Sequence, residues 1–176
     1  MDGLGKSPLV ITGFMGSGKT STGKAVARRL GCDFMDMDAA IEKAEGMPIS
    51  RIFEKQGEAY FRLRESELCV RLATRKNLVV STGGGVFVNP ANRELFKDAL
   101  VVCLDADSRE VYNRLRNDGR RPLLTTADPY QQIVELMEAR RSAYAHVEWH
   151  IDTKGKTVDE VADEIVVVLR AGAWPA

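Results

Sequence analysis

The sequence lacks net charge: 25 Asp and Glu stand against 25 Lys and Arg in 176 residues. A chain built for nucleic acid usually offers a net basic face, so that partner class is disfavoured. No run of about 18 or more apolar residues occurs, which argues against a membrane-spanning helix. The opening residues, MDGLGKSPLV, hold no long apolar core and no cleavage pattern, so no secretory signal is expected. Cysteine is scarce, with Cys32, Cys69 and Cys103 odd in number and far apart. They read as reduced, partly buried thiols of a cytoplasmic protein, not as disulfide partners or metal ligands. Repeats, low-complexity stretches and linkers are also missing. Residues 1–176 therefore read as one domain, long enough to bury roughly 70% of its unfolded surface.

What is present is an alternation of short apolar runs and helical stretches. The runs Leu9–Thr12, CDFMDMD, NLVVS, ALVVCLDA and WHIDT predict strands. Between them lie predicted helices: Lys19–Leu30 stopped by Gly31, DAAIEKAE stopped by Gly46, and PISRIFEKQ stopped by Gly57. Further helices follow over Glu58–Lys76, Pro90–Lys97, Ser108–Arg116 with Ser108 as cap, Tyr130–Val147 and Thr157–Arg170. This pattern implies an α/β fold, a parallel sheet covered by helices on both faces.

Gly13, Gly18, Lys19 and Thr20 fit G-x-x-x-x-G-K-[ST] between a predicted strand and a predicted helix. Glycines let backbone N–H groups converge on anionic oxygens, and the helix adds the positive end of its dipole. Gly16, Ser17, Gly18, Lys19, Thr20 and Ser21 are thus candidates for holding a nucleoside triphosphate, with Lys19 on the phosphates and Thr20 on Mg2+. Two other classes lack their signatures. No Asn-Lys-x-Asp stretch marks a guanine-specific GTPase, and Val88 breaks a G-x-G-x-x-G pattern in GGGVFV.

Asp36 and Asp38 stand two apart at the end of the second predicted strand, where residues i and i+2 share a face. One suits Mg2+ and the other an acceptor hydroxyl; a plain helix cap is the alternative for Asp38. Arg62 and Arg64 lie about 200° apart on a helix. Arg64 sides with Glu67, Arg71 and Arg75, the solvated face, whereas Arg62 sides with Ser66, Cys69 and Ala73. Arg62 is the inward one and needs an anion, which a carboxylate of the chain or a ligand can supply. By the same test Arg140, not Arg141, falls on the apolar stripe of its helix. Thr82–Gly85 offers either close backbone approach to a ligand or a tight turn. Arg121, in the loop NDGRRPLLTTADP, is either a mobile arginine finger or a solvated side chain.

Together GFMGSGKTSTG, DFMDMD, IFEKQGEAYFRLRE, STGGGV, RRPLL and RRSAY resemble the shikimate kinase family of nucleoside monophosphate kinase-like P-loop proteins. The resemblance runs from about Leu9 to Val168. It implies a three-layer α/β/α fold with a five-stranded parallel sheet of order 2-3-1-4-5. It also implies a substrate-binding segment near 36–64 and a lid near 117–128. The implied activity is transfer of the ATP γ-phosphate to the 3-hydroxyl of shikimate, in aromatic amino-acid biosynthesis. On the family pattern Arg62 and Arg140 hold the shikimate carboxylate, and Asp38 and Gly84 hold ring hydroxyls, with Asp38 the candidate base. Asp36 and Thr20 serve Mg2+, Lys19 and Arg121 stabilise the transferring group, and Arg116 stacks on adenine beside a loop near Thr153–Lys156. The expected partners are shikimate and ATP alone, with no nucleic acid and no membrane, and a monomer is expected. A gluconate kinase and a binding module without turnover are the competing readings.

Overall fold

The computed structural model describes residues 7–116 and 126–173. Its elements in chain order are β1 (Leu9–Gly13), α1 (Lys19–Leu30), β2 (Asp33–Asp36), α2 (Met37–Glu45), α3 (Ile49–Leu72), β3 (Leu78–Ser81) and α4 (Pro90–Leu95). They continue with β4 (Leu100–Asp105), α5 (Ser108–Leu115), α6 (Pro129–Tyr144), β5 (Trp149–Asp152) and α7 (Val158–Val168). The strands form one parallel sheet in the order β2-β3-β1-β4-β5, as expected.

Alternate strand residues face opposite ways, so each face of the sheet builds its own core. Leu9, Ile11, Val79, Val102, Leu104 and Ile151 pack on α1 and α7 through Ala25, Val26, Val161 and Ile165. Val10, Leu78, Val80 and Cys103 pack on the other layer through Ile52, Phe61, Leu68, Phe87 and Phe96. Two-sided burial explains the nearly unbroken apolar strands LVIT and LVV, which carry no polar alternation. β1 lies at the centre, and the chain crosses from one side of it to the other between β3 and β4. Ligands bind outside the carboxyl ends of strands at such a reversal. The residues after β1, β2 and β3 all emerge there.

Several helix ends differ from the sequence expectation. Asp107, not Ser108, caps α5, its carboxylate accepting from the backbone N–H of Arg109 and Glu110. Asp128 caps α6, which starts at Pro129 and stops at Tyr144. The stretch expected to be helical to Lys76 stops at Leu72, before Asn77 turns the chain at φ 54° into β3. Gly57 (φ 82°, ψ 167°) breaks α3 internally, so the two helices expected on either side of it are separate segments. Thr157 and Glu160 form a reciprocal capping box on α7. A single π-helical turn, Leu169–Ala173, follows α7.

Candidate active site

The loop after β1 is wound by three glycines at positive φ: Gly13 at 133°, Gly16 at 77° and Gly18 at 92°. A Cβ on Gly13 would sit 2.5 Å from the carbonyl oxygen of Leu104, so any side chain there would push β1 from β4. Gly18 is the N-cap of α1 and uses no side chain, which leaves the helix start open to an anion. Ser17 is buried, with Oγ lacking a hydrogen-bond partner among the described residues. Lys19 is buried as well; its Nζ reaches back over the loop and donates to the Phe14 carbonyl at 2.8 Å. Ser21 and Thr20 are exposed at the first turn of α1. A cavity of about 210 Å3 is lined by Met15, Gly18, Lys19, Thr20, Asp36 and Asp38, among others.

Asp36 and Asp38 do not share an extended face, contrary to expectation. β2 ends at Asp36, and Asp36 itself caps α2, one oxygen accepting from the Ala39 N–H at 3.1 Å. Its other oxygen accepts from Thr20 Oγ1. Asp38 therefore lies in the first helical turn, not on the strand. The helix begins two residues earlier because Asp36 already satisfies the Ala39 N–H, which places Met37 and Asp38 inside the first turn. Both carboxylates still line the cavity beside the glycine loop. A hydroxyl touching a carboxylate is a hard-oxygen pair suited to Mg2+.

The glycines after β3 make room for charged groups from three helices. A Cβ on Gly83 would lie 2.5 Å from Glu65 Oε1 and 2.7 Å from Asp38 Oδ1. One on Gly84 would lie 3.2 Å from the Met15 N–H nitrogen and 3.3 Å from Arg140 Nη1. One on Gly85 would overlap the Arg62 guanidinium. Thr82 fastens this segment to β1, its N–H donating to Ile11 O at 3.0 Å.

Arg140 is buried at 7% exposure, donates to Gly84 O at 3.0 Å and stacks over Phe14. Among the described residues it makes no salt bridge, although its charge acts on the buried Glu65 carboxyl. Arg141 is exposed and pairs with Glu138, as its helix face predicted. The two arginines of FRLRE separate less cleanly. Their side chains are 30% and 29% exposed, so Arg64 is not the solvated one. Arg64 folds onto Glu45 and Glu67, away from the glycines, while Arg62 bonds Glu58 and Glu65 at 2.7 Å each.

Sequence reasoning missed Glu65. Its place three residues after Arg62, one helical turn on, was the available signal. Burial pushes its carboxyl up to about 7, opposed by the Arg62 guanidinium and reinforced by Asp38. Oε2 takes Arg62, and Oε1 is buried without a hydrogen-bond donor among the described residues. Tyr144 was missed too; its hydroxyl donates to the same Gly84 carbonyl as Arg140. Arg116 is exposed at the end of α5, whereas Arg114 reaches the phosphate loop, donating to Gly16 O at 2.9 Å. Arg121, and residues 117–125 of the expected lid, lie outside the described residues.

The family model described as shikimate kinase matches residues 15–170. The chain belongs to the shikimate kinase family. A shikimate kinase of Thermodesulfovibrio yellowstonii is 45% identical over 159 residues, covering 90% of this chain and 92% of its own length. One of Geobacter sulfurreducens is 44% identical over 163 residues, covering 92% and 90%. Among solved structures, shikimate kinase from Acinetobacter baumannii in complex with shikimate superposes with a TM-score of 0.92 at 34% identity, over 96% of this chain and 95% of that one. A gluconokinase from Sinorhizobium meliloti shares the fold alone, with a TM-score of 0.65 at 20% identity. Shikimate kinases thus match across nearly the whole length that carries the site.

Proposed function

We infer that the chain transfers the γ-phosphate of ATP to the 3-hydroxyl of shikimate, giving shikimate 3-phosphate and ADP. One observation carries the reading: Gly84 bridges a phosphate loop, 3.2 Å from its Cβ position to Met15 N, and a buried arginine, 3.3 Å from that same position, whose only described hydrogen bond is to a backbone carbonyl. A small carboxylate ligand answers that charge, and it would then sit beside both Asp38 and the triphosphate loop.

The roles follow from chemistry and the family pattern. Arg140 and Arg62 hold the acceptor's carboxylate, and Gly84 and Asp38 orient its ring hydroxyls. Asp38 takes the proton of the attacking hydroxyl. Lys19 leaves the Phe14 carbonyl for the phosphate oxygens, an exchange of one oxygen partner for a more highly charged one. The loop N–H groups of Gly16–Ser21 hold the remaining phosphate oxygens, and Arg121 adds a further positive charge. Phosphoryl transfer has a loose transition state, so positioning and charge matter more than a strong base. Thr20 and Asp36 would hold Mg2+, which would supply positive charge against the charge that develops on the phosphate. Arg116 remains a candidate for stacking on adenine, now alongside Arg114. The reading includes a monomer working in the cytoplasm, which gel filtration and cell fractionation test. Among the described residues no helix is long and apolar enough to cross a membrane.

ADP release with Mg-ATP and shikimate, quinate or gluconate tests the reading. Turnover confined to shikimate supports it. Turnover with gluconate and not shikimate would overturn the assignment of Arg62 and Arg140.

A further inference from the structure

The carboxyl ends of β4 and β5 carry a cluster that phosphoryl transfer does not use. Parallel register sets Cys103 beside His150. Cys103 and Asp105 are two apart on β4 and so share a face. His150 Nδ1 lies 2.9 and 3.0 Å from the two oxygens of Asp105, and Cys103 Sγ lies 3.7 Å from Oδ1. One ligand atom from each of the three residues lies within 4.8 Å of the others. A tetrahedral ion with bonds of about 2.0 to 2.3 Å separates its ligand atoms by about 3.3 to 3.6 Å, so small rotations bring the three to coordination distance. Sulfur, imidazole nitrogen and carboxylate oxygen together select a borderline ion such as zinc over magnesium.

The orientation of His150 points the same way. Its Nε2 lies 3.2 Å from the Tyr144 carbonyl, which can only accept, so the tautomer with a hydrogen on Nε2 makes a bond there. In the neutral ring Nδ1 then turns a lone pair toward a carboxylate 2.9 Å away. Two facing acceptors need a cation between them, either a proton or a metal ion. A backbone carbonyl behind the far ring nitrogen is the usual support of a metal-bound histidine. Asp105 and His150 also line an open cavity of about 430 Å3 with Ser108, Met137, Glu138 and Tyr144, which gives water access to a fourth position.

We propose that Cys103, Asp105 and His150 bind one divalent cation of the zinc class, with water as the fourth ligand. The Cys103 thiol gives its proton to solvent as the sulfur–metal bond forms, with no change of oxidation state. This reverses the expectation from cysteine spacing, which saw no metal role for Cys103. Asp105 is also the residue whose carbonyl accepts both the N–H and the hydroxyl of Thr153, at 2.9 and 2.8 Å. Occupancy would thereby stiffen the loop after β5 as well as the two strand ends.

Cobalt(II) titration of the full chain, without nucleotide and with magnesium in excess, tests this. The expected result is a thiolate-to-cobalt charge-transfer band in the near ultraviolet that saturates at one equivalent and is displaced by zinc. Cys103→Ser should abolish the band. His150→Ala, at a partly exposed position, should weaken cobalt binding at least tenfold while leaving the circular dichroism spectrum unchanged. If Cys103→Ser does not fold, His150→Ala and Asp105→Asn decide the matter. Absence of the band overturns the proposal, as does a band that persists at full affinity in the variants. Shikimate turnover enters none of these readouts, so the kinase reading and this one fail separately.

Discussion

Replacing Glu65 by Gln isolates one buried charge at the site. In the folded chain the Glu65 carboxyl titrates near 7 instead of its ordinary 4.5. Burial is the main cause; the Arg62 guanidinium opposes it and the Asp38 carboxylate adds to it. A raised value means that the folded chain holds this proton more tightly than the unfolded chain. The resulting stabilisation is complete below about 4.5, falls across the window and is gone above about 7. Gln keeps the shape and cannot titrate. The unfolding free energy of the parent chain, relative to E65Q, should therefore drop by about 2–3 kcal/mol between pH 5 and pH 8. Urea unfolding of both proteins at four pH values in that range measures it. The offset at any single pH also contains the lost Arg62 ion pair, so the slope is the readout. Parallel curves would show that Glu65 stays ionised throughout, held by Arg62, and that burial does not dominate.

Three further comparisons test the geometry. Arg140→Ala should lower kcat/KM for shikimate by about 100-fold or more while Arg141→Ala leaves it unchanged, because only Arg140 is buried and bonded to Gly84; steady-state kinetics decide, and equal effects would refute the face assignment. Gly85→Ala should raise KM for shikimate by about tenfold with the fold intact, since the methyl group occupies the place of the Arg62 guanidinium; an unchanged KM would mean that Arg62 does not touch the acceptor. Asp107→Ala should destabilise the chain by about 1 kcal/mol and Ser108→Ala by much less, as judged by chemical unfolding, because Asp107 alone caps α5.

Local signals were readable in the sequence. β1, the phosphate loop and α1 came out nearly residue by residue, because a strand, the loop glycines and a closing Gly31 are all set by neighbours in the chain. Arg140 was legible because a charged residue on an apolar stripe contradicts its helix unless something meets it. Competition between nearby signals was not. Asp36 and Asp38 both suit a cap, and the residue that first reaches a free N–H wins, which moved the start of α2 forward. Ser108 lost to Asp107 in the same way. Arg64 looked solvated because its partner, Glu45, sits on another helix. Glu65 was hidden because acidic residues on helices are common and only tertiary burial changes their chemistry. The approach of Cys103 and Asp105 to His150 depends on β4–β5 pairing, which no local pattern encodes.

The three glycines after β3 bear on attempts to change the acceptor. The missing side chains leave space already taken by four charged groups from three helices: Asp38 of α2, Glu65 and Arg62 of α3, and Arg140 of α6. A library that varied residues 83–85 would therefore evict charges before it reshaped any contact with a new ligand. Its survivors would be poor binders of every anion, old and new. Variation placed on α2 and α3 instead leaves the strand end as a fixed gauge and lets the helices carry the change in specificity.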